Sequence, residues 1–185
     1  MATTFAVSNP SAASATRKLH LFSVYMDFPA SVQARSMICT ITQLAQQAGP
    51  EWLASSEMWK LDALKSSDSI RQMMTKDAAN ADVIIITVTS LVHHEPALID
   101  WLAALAAEKT NQSGLLIGLF GDDKTQSKEL DWIVKPLLYH ARQMGREVIW
   151  HCLEQNIISE VDWLKEHLEN LLTNKLAAEN SPIRC

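Results

Sequence analysis

Glycine is scarce in this chain, five residues in 185, and the glycine-dependent signatures of the commonest α/β enzymes are absent. There is no G-x-x-x-x-G-K-[ST] loop to cradle a nucleotide's phosphates. Nor is there a G-x-S-x-G elbow to lift a nucleophilic serine off a strand. Cysteine is scarcer still. Cys39, Cys152 and Cys185 form no C-x-x-C pair, and an odd count makes a poor disulfide framework, which points to a reducing cytoplasm. Cys39 falls between Ile38 and Ile41 of a helical pattern, where a small apolar side chain suits the core. Positive charge is not in excess and forms no stripe. A net charge of −5 offers no long-range attraction to nucleic acid or anionic lipid, so neither is expected as a partner. No apolar run approaches the roughly 20 residues of a membrane span.

What is present suffices for one core. An apolar share of 48% and a charged share of 20% are those of an ordinary globular domain, and a chain of 185 residues can bury about 70% of its unfolded surface. The expected organisation is an N-terminal tail over 1–17, one α/β domain over 18–178 and a short tail over 179–185. The first segment is rich in Ala, Ser and Thr, lacks acidic residues and contains Asn9-Pro10. It has no apolar h-region for secretion, and Arg17 and Lys18 are too few for a transit peptide, so it is expected to be disordered.

From Leu19 the periodicity alternates between strand and helix. Leu19 to Met26 predicts the first strand. A helix follows from about Ser31, with Met37, Ile38, Ile41 and Leu44 on one face, stopped by Gly49-Pro50. Met58 to Leu64 alternates as a second strand, with Trp59, Leu61 and Ala63 on one side and Lys60 and Asp62 on the other. Ser67-Asp68 can cap a helix carrying Ile70, Met73, Met74 and Ala78. Val83 to Val88 and Leu115 to Phe120 are apolar runs too short for helices. Pro96 suits the first turn of a helix with Leu98, Trp101, Leu102 and Leu105. The next helix carries Ile133 and Leu137, with a kink or late start expected at Pro136. Val148-Ile149-Trp150 marks the fifth strand, and Ser159 with Asp162 resembles a capping box for a last helix.

Five βα units with short connections predict a three-layer sandwich around a parallel sheet, because right-handed crossovers put helices on both faces. The third and fourth strands are apolar throughout and belong in the centre. The second alternates with charges and the fifth is short, so each belongs at an edge. The order 2-1-3-4-5 satisfies these demands, and over about residues 19–175 the pattern resembles the flavodoxin-like fold.

Ligands of such sheets sit beyond the carboxyl ends of the strands, where the order reverses between the first and third. The rim there is expected to comprise Asp27, Ser31, Thr89, Ser90, His93, His94, Glu95, Asp122 and Asp123. Flavodoxins hold the flavin phosphate in a loop of hydroxyls and glycine after the first strand. Here that loop is Asp27-Phe28-Pro29-Ala30-Ser31, acidic, without glycine, and with a proline that has no N–H. Flavin binding by that route is not expected, and no cofactor is assigned. Asp27, Glu95, Asp122 and Asp123 are expected to cluster and to disfavour phosphates.

The chain also resembles receiver domains, but Thr89 and Ser90 stand where the phosphoacceptor carboxylate should be, and His151-Cys152 where the lysine should be. That leaves a degenerate receiver-like module. Adjacent His93 and His94 diverge, and no H-x-x-x-H or H-E-x-x-H spacing presents two ligands on one face, so no metal is expected. Ala81-Asp82-Val83 is similar to the third strand of nucleoside deoxyribosyltransferases, for which Glu95 would be the nucleophile. Asp27 and Glu95 are thus the candidate catalytic groups. Six tryptophans stand out, and Trp52 and Trp59 flank the second strand, where an aromatic could anchor a partner. Because each catalytic template lacks a required group, the favoured expectation is a non-catalytic binding or interaction module. Its partner would be a protein, a small ligand or a second copy. The alternative is a small-molecule enzyme, a nucleoside transferase or hydrolase, using the rim.

Overall fold

Two runs of six residues set the middle of the sheet: Val83–Val88 (β3) and Leu115–Phe120 (β4), in which every residue is buried. They pair in parallel from Val83 opposite Leu115 to Val88 opposite Phe120. The computed structural model describes residues 16–89, 96–108, 113–121, 127–152 and 162–179. Arg17–Tyr25 (β1) lies on the other side of β3, with Leu21 opposite Val83 and Tyr25 opposite Thr87. Trp52–Lys60 (β2) forms the edge beside β1, and Glu147–Cys152 (β5) the edge beside β4. The five strands are parallel in the order β2-β1-β3-β4-β5, the flavodoxin-like arrangement.

Alternation along the central strands feeds two cores. Leu19, Leu21, Val83, Ile85, Leu115 and Ile117 face Phe28–Ala48 (α1) and Asp162–Glu179 (α5), whose Met37, Ile41, Leu164 and Leu168 complete one layer. Phe22, Val24, Ile84, Ile86, Leu116 and Phe120 face Asp68–Ala79 (α2), Pro96–Ala107 (α3) and Ser127–Gln143 (α4), meeting Met74, Trp101 and Leu137. Each such Leu, Ile or Phe contributes about 1.5–3 kcal/mol by leaving water, so the paired cores dominate the stability. Among the described residues no helix is long and apolar enough to cross a membrane.

Several expectations are corrected. β2 begins six residues earlier, at Trp52, than the alternation at Met58 to Leu64 suggests, and ends four earlier, at Lys60. Leu61–Lys65 is instead a 3-10 turn, and it buries Leu61 and Leu64 at the i, i+3 spacing such a turn requires. Helix α1 begins at Phe28 and not near Ser31, because Asp27 caps it and Pro29 occupies its first turn. Helix α4 runs from Ser127 through Pro136 with no late start. Cys39 is exposed, one residue round the helix from buried Ile38, and Met73 is exposed beside buried Met74.

At the amino-terminal end of the sheet a buried polar knot ties four elements. Asp82 accepts the His20 N–H at 2.8 Å and pairs with Lys175 at 2.6 Å. Arg146, only 5% exposed, sends its guanidinium to the carbonyls of Ala78, Ala79, Ala81 and Asp82 at 3.5, 3.3, 2.8 and 3.4 Å. Burial pushes its pKa down, opposed by the charge of Asp82.

Candidate functional site

At the opposite, carboxyl end, the chain leaves β1 toward one side of the sheet and β3 toward the other, and the two strand ends part around a crevice. The ladders continue one step past the strands there. Met26 N–H donates to the Thr87 carbonyl at 3.0 Å, and Gly121 N–H donates to the Val88 carbonyl at 2.8 Å. Gly121 turns away with φ 57°, in the left-handed region that glycine adopts without a Cβ penalty.

Across the crevice Asp27 clasps Thr89. Its Oδ1 accepts the Ala30 N–H at 2.9 Å and so caps α1, while its Oδ2 accepts the Thr89 hydroxyl at 2.7 Å. Ser31 completes the first turn: its N–H donates to the Asp27 carbonyl at 2.9 Å and its hydroxyl to the Phe28 carbonyl at 2.7 Å. Both carboxylate oxygens of Asp27 are therefore engaged, and the rim between β1 and β3 is bonded shut at one point. Phe28, 79% exposed, and Val32, 51% exposed, stand one helical turn apart beside the clasp.

Lys60, expected in mid-strand, ends β2 and brings a cation to the rim. It pairs with Asp62 at 2.6 Å. That hydrogen bond and charge raise its pKa and lower that of Asp62, and Tyr25 and Asp27 lie near enough to reinforce the ammonium. Beneath the rim, on the face covered by α1, the hydroxyls of Ser23 and Thr87 are fully buried with no partner among the described residues. Neither stands out in the sequence, because an isolated Ser or Thr in an apolar strand carries no motif.

Of the expected rim residues, Asp27, Ser31 and Thr89 come together. Ser90, His93, His94, Glu95, Asp122 and Asp123 lie outside the described residues, and with them the proposed carboxylate cluster and the catalytic candidate Glu95. Among the described residues no three His, Cys, Asp or Glu side chains converge as metal ligands would.

No protein-family model matches the sequence, and no curated protein matches it. Solved structures do. An oxidoreductase from Corynebacterium diphtheriae aligns with a TM-score of 0.57 at 15% identity, over 91% of this chain and 100% of its own. A short-chain flavodoxin associated with a bacterial microcompartment aligns at 0.54 and 14% identity, over 85% and 97%. An NADH:FMN oxidoreductase aligns at 0.50 and 13% identity, over 89% and 92%. At such identities the likeness establishes the flavodoxin-like fold.

The expectation of a non-catalytic interaction module is overturned. The chain is coextensive with oxidoreductases and a flavodoxin of the same fold. Of the aromatic anchors that motivated the module, Trp52 is a core residue, 2% exposed beneath α1, and Trp59 packs half-buried against the opposite core. The transferase or hydrolase alternative gains nothing from these structures.

The site departs from the flavodoxin pattern at the phosphate. Among the first four residues of α1, Pro29 has no N–H, and those of Ala30 and Ser31 already donate to Asp27. A phosphate on this turn would find one N–H, at Phe28, and a carboxylate where the anion should rest. The phosphate of a flavin mononucleotide does not fit here.

Proposed function

We propose that this protein is a redox protein of flavodoxin type that takes a flavin-class ring against the rim between β1 and β3. The observation that carries the reading is the Asp27–Thr89 clasp, which joins the two strand ends at the point of the sheet where ligands of this architecture are held. Beside it Phe28 offers most of an aromatic face for stacking a planar ring, and such contacts favour offset arrangements that need an exposed edge of this kind. The redox half of the reading is supported by the oxidoreductases that share the whole fold. A cytoplasmic location, consistent with three cysteines that make no disulfide framework, belongs to the same proposal.

The test is a titration of the purified full chain with riboflavin, flavin mononucleotide and flavin adenine dinucleotide, followed by quenching of flavin fluorescence and a shift in the visible spectrum. Saturable binding of at least one, weakened by Phe28→Ala, is the expected result. No saturable binding of any of the three would remove the reading.

A further inference from the structure

On an open helix N-terminus the first-turn N–H groups and the helix dipole attract an anion, and a bound phosphate is the usual beneficiary in α/β proteins. In this chain the attraction is already satisfied from within. The Asp27 carboxylate caps α1 through the Ala30 N–H and is held from the other side by the Thr89 hydroxyl. Lys60, a described cation near enough to feel the charge of Asp27, is bound to Asp62 at 2.6 Å. An incoming phosphate would have to displace a tethered carboxylate, or sit against it with like charges in contact.

We infer that Asp27 is a selectivity residue: it fills the anion seat of the rim, so the site accepts uncharged ring ligands and rejects their phosphorylated forms. In its choice of ring this rests on the proposed function. The exclusion of anions does not, since it follows from the cap and the clasp alone. Thr89 is the matching positioning residue, because its hydroxyl fixes the second carboxylate oxygen and keeps it from swinging off the turn.

The experiment compares the parent chain with Asp27→Gly and Asp27→Asn. Glycine is a tolerated N-cap and frees both the Ala30 N–H and the Thr89 hydroxyl, while asparagine keeps the cap oxygen, removes the charge and turns an amide N–H2 donor toward Thr89 in place of the accepting oxygen. Thermal melts establish that each variant folds, and asparagine carries the test if the glycine variant does not. Two probes are used. Riboflavin and flavin mononucleotide are titrated by fluorescence quenching, and inorganic phosphate by thermal shift and phosphorus NMR line width.

The parent should bind riboflavin about tenfold or more tighter than the mononucleotide, and the ratio should fall about tenfold in Asp27→Gly, the scale of one charge-assisted hydrogen bond or close like-charge contact. Inorganic phosphate should stabilise and broaden in Asp27→Gly and not in the parent. Equal or tighter mononucleotide binding by the parent, or a ratio unmoved by both variants, overturns the inference. If neither flavin binds the parent, the ring reading fails by itself and the phosphate arm decides: a response confined to the variants upholds the filled seat, and equal responses refute it.

Discussion

Arg146 is the side chain whose removal tests the packing of this fold most sharply. It follows Gly145, whose φ of 67° turns the chain into β5, and it enters the interior where α2 ends and β3 begins. Two effects of a guanidinium in that place oppose each other. Desolvation disfavours the charge, as its lowered pKa records, and swapping a buried ion for a hydrophobe can even stabilise a protein. Against this stand the guanidinium's hydrogen bonds, and here they win, because the partners are carbonyls that a hydrophobe cannot satisfy. The bond to Ala81 at 2.8 Å is short and charge-assisted, while those to Ala79, Asp82 and Ala78 lengthen from 3.3 to 3.5 Å and count for less. One strong bond to a charged donor at about 1.5–3 kcal/mol, plus partial orphaning of the others, puts Arg146→Met at about 2–4 kcal/mol destabilising. For a chain of this size that lowers the melting temperature by about 4–16 °C. Arg146→Lys keeps a charge but not the fork, and should fall roughly midway.

Gly114 supplies the control. A Cβ there would sit 2.2 Å from the guanidinium and 2.8 Å from the Asp82 carbonyl. Gly114→Ala should therefore be destabilising in the parent and less so beside Arg146→Met, a non-additivity of about 0.5 kcal/mol or more between contacting residues. Urea unfolding followed by tryptophan fluorescence measures all four corners of the cycle. An Arg146→Met variant within about 0.5 kcal/mol of the parent, the range of ordinary surface changes, would refute the reasoning.

Gly118→Ala in the central strand β4 places a Cβ 2.5 Å from the buried Phe120 ring and 3.2 Å from Leu137, and should cost about 1–3 kcal/mol by overpacking in the same urea assay. A neutral outcome would mean that the ring moves freely. Thr89→Val removes the hydroxyl from Asp27 while keeping the side chain's shape, and should cost about 1 kcal/mol, with faster hydrogen exchange confined to the first turn of α1. Exchange rising evenly over the whole molecule would contradict a local clasp. The Lys60–Asp62 pair sets a pH dependence. The carboxylate's folded pKa is depressed, so its contribution is present above the unfolded value and lost as the pH falls through the folded one. The ammonium's is raised, so its contribution is lost as the pH rises through it. Both groups are exposed, so Asp62→Asn should differ little from the parent in urea midpoint, and not at all once the pH is below the depressed carboxylate pKa or the salt is high.

The central strands were legible from the sequence because their signal is local. Six-residue runs, apolar but for Thr87 and bounded by turn-formers, are too short for a useful helix, and Val83–Val88 and Leu115–Phe120 stand where those runs put them. β2 was not legible for a physical reason. As an edge strand it leaves Ser55, Ser56 and Glu57 exposed, so its middle looks like a loop, whereas Trp59, Leu61 and Ala63 alternate across the boundary into a 3-10 turn. The start of α1 has a signal of a different kind: apolar periodicity begins only near Ser31, whereas an Asp at the cap with Pro two residues on marks the helix start at Phe28.

The rim was legible in outline and not in detail, since its central bond joins residues 62 apart. Once β1 and β3 are neighbours with Tyr25 opposite Thr87, Asp27 and Thr89 must both emerge two residues beyond that pair, side by side. The acidity of the loop was visible in the sequence, and its consequence depends on where the carboxylate points. A free Asp27 facing solvent would merely repel anions at a distance, screened by salt. A carboxylate turned inward onto the Ala30 N–H consumes the donors that an anion would need, and the exclusion becomes one of contact. The bond that begins α1 is thus also the bond that defines what the rim can hold. A substitution that opens the seat must give up part of the cap, and glycine is the residue for which that loss is smallest, a few tenths of a kcal/mol.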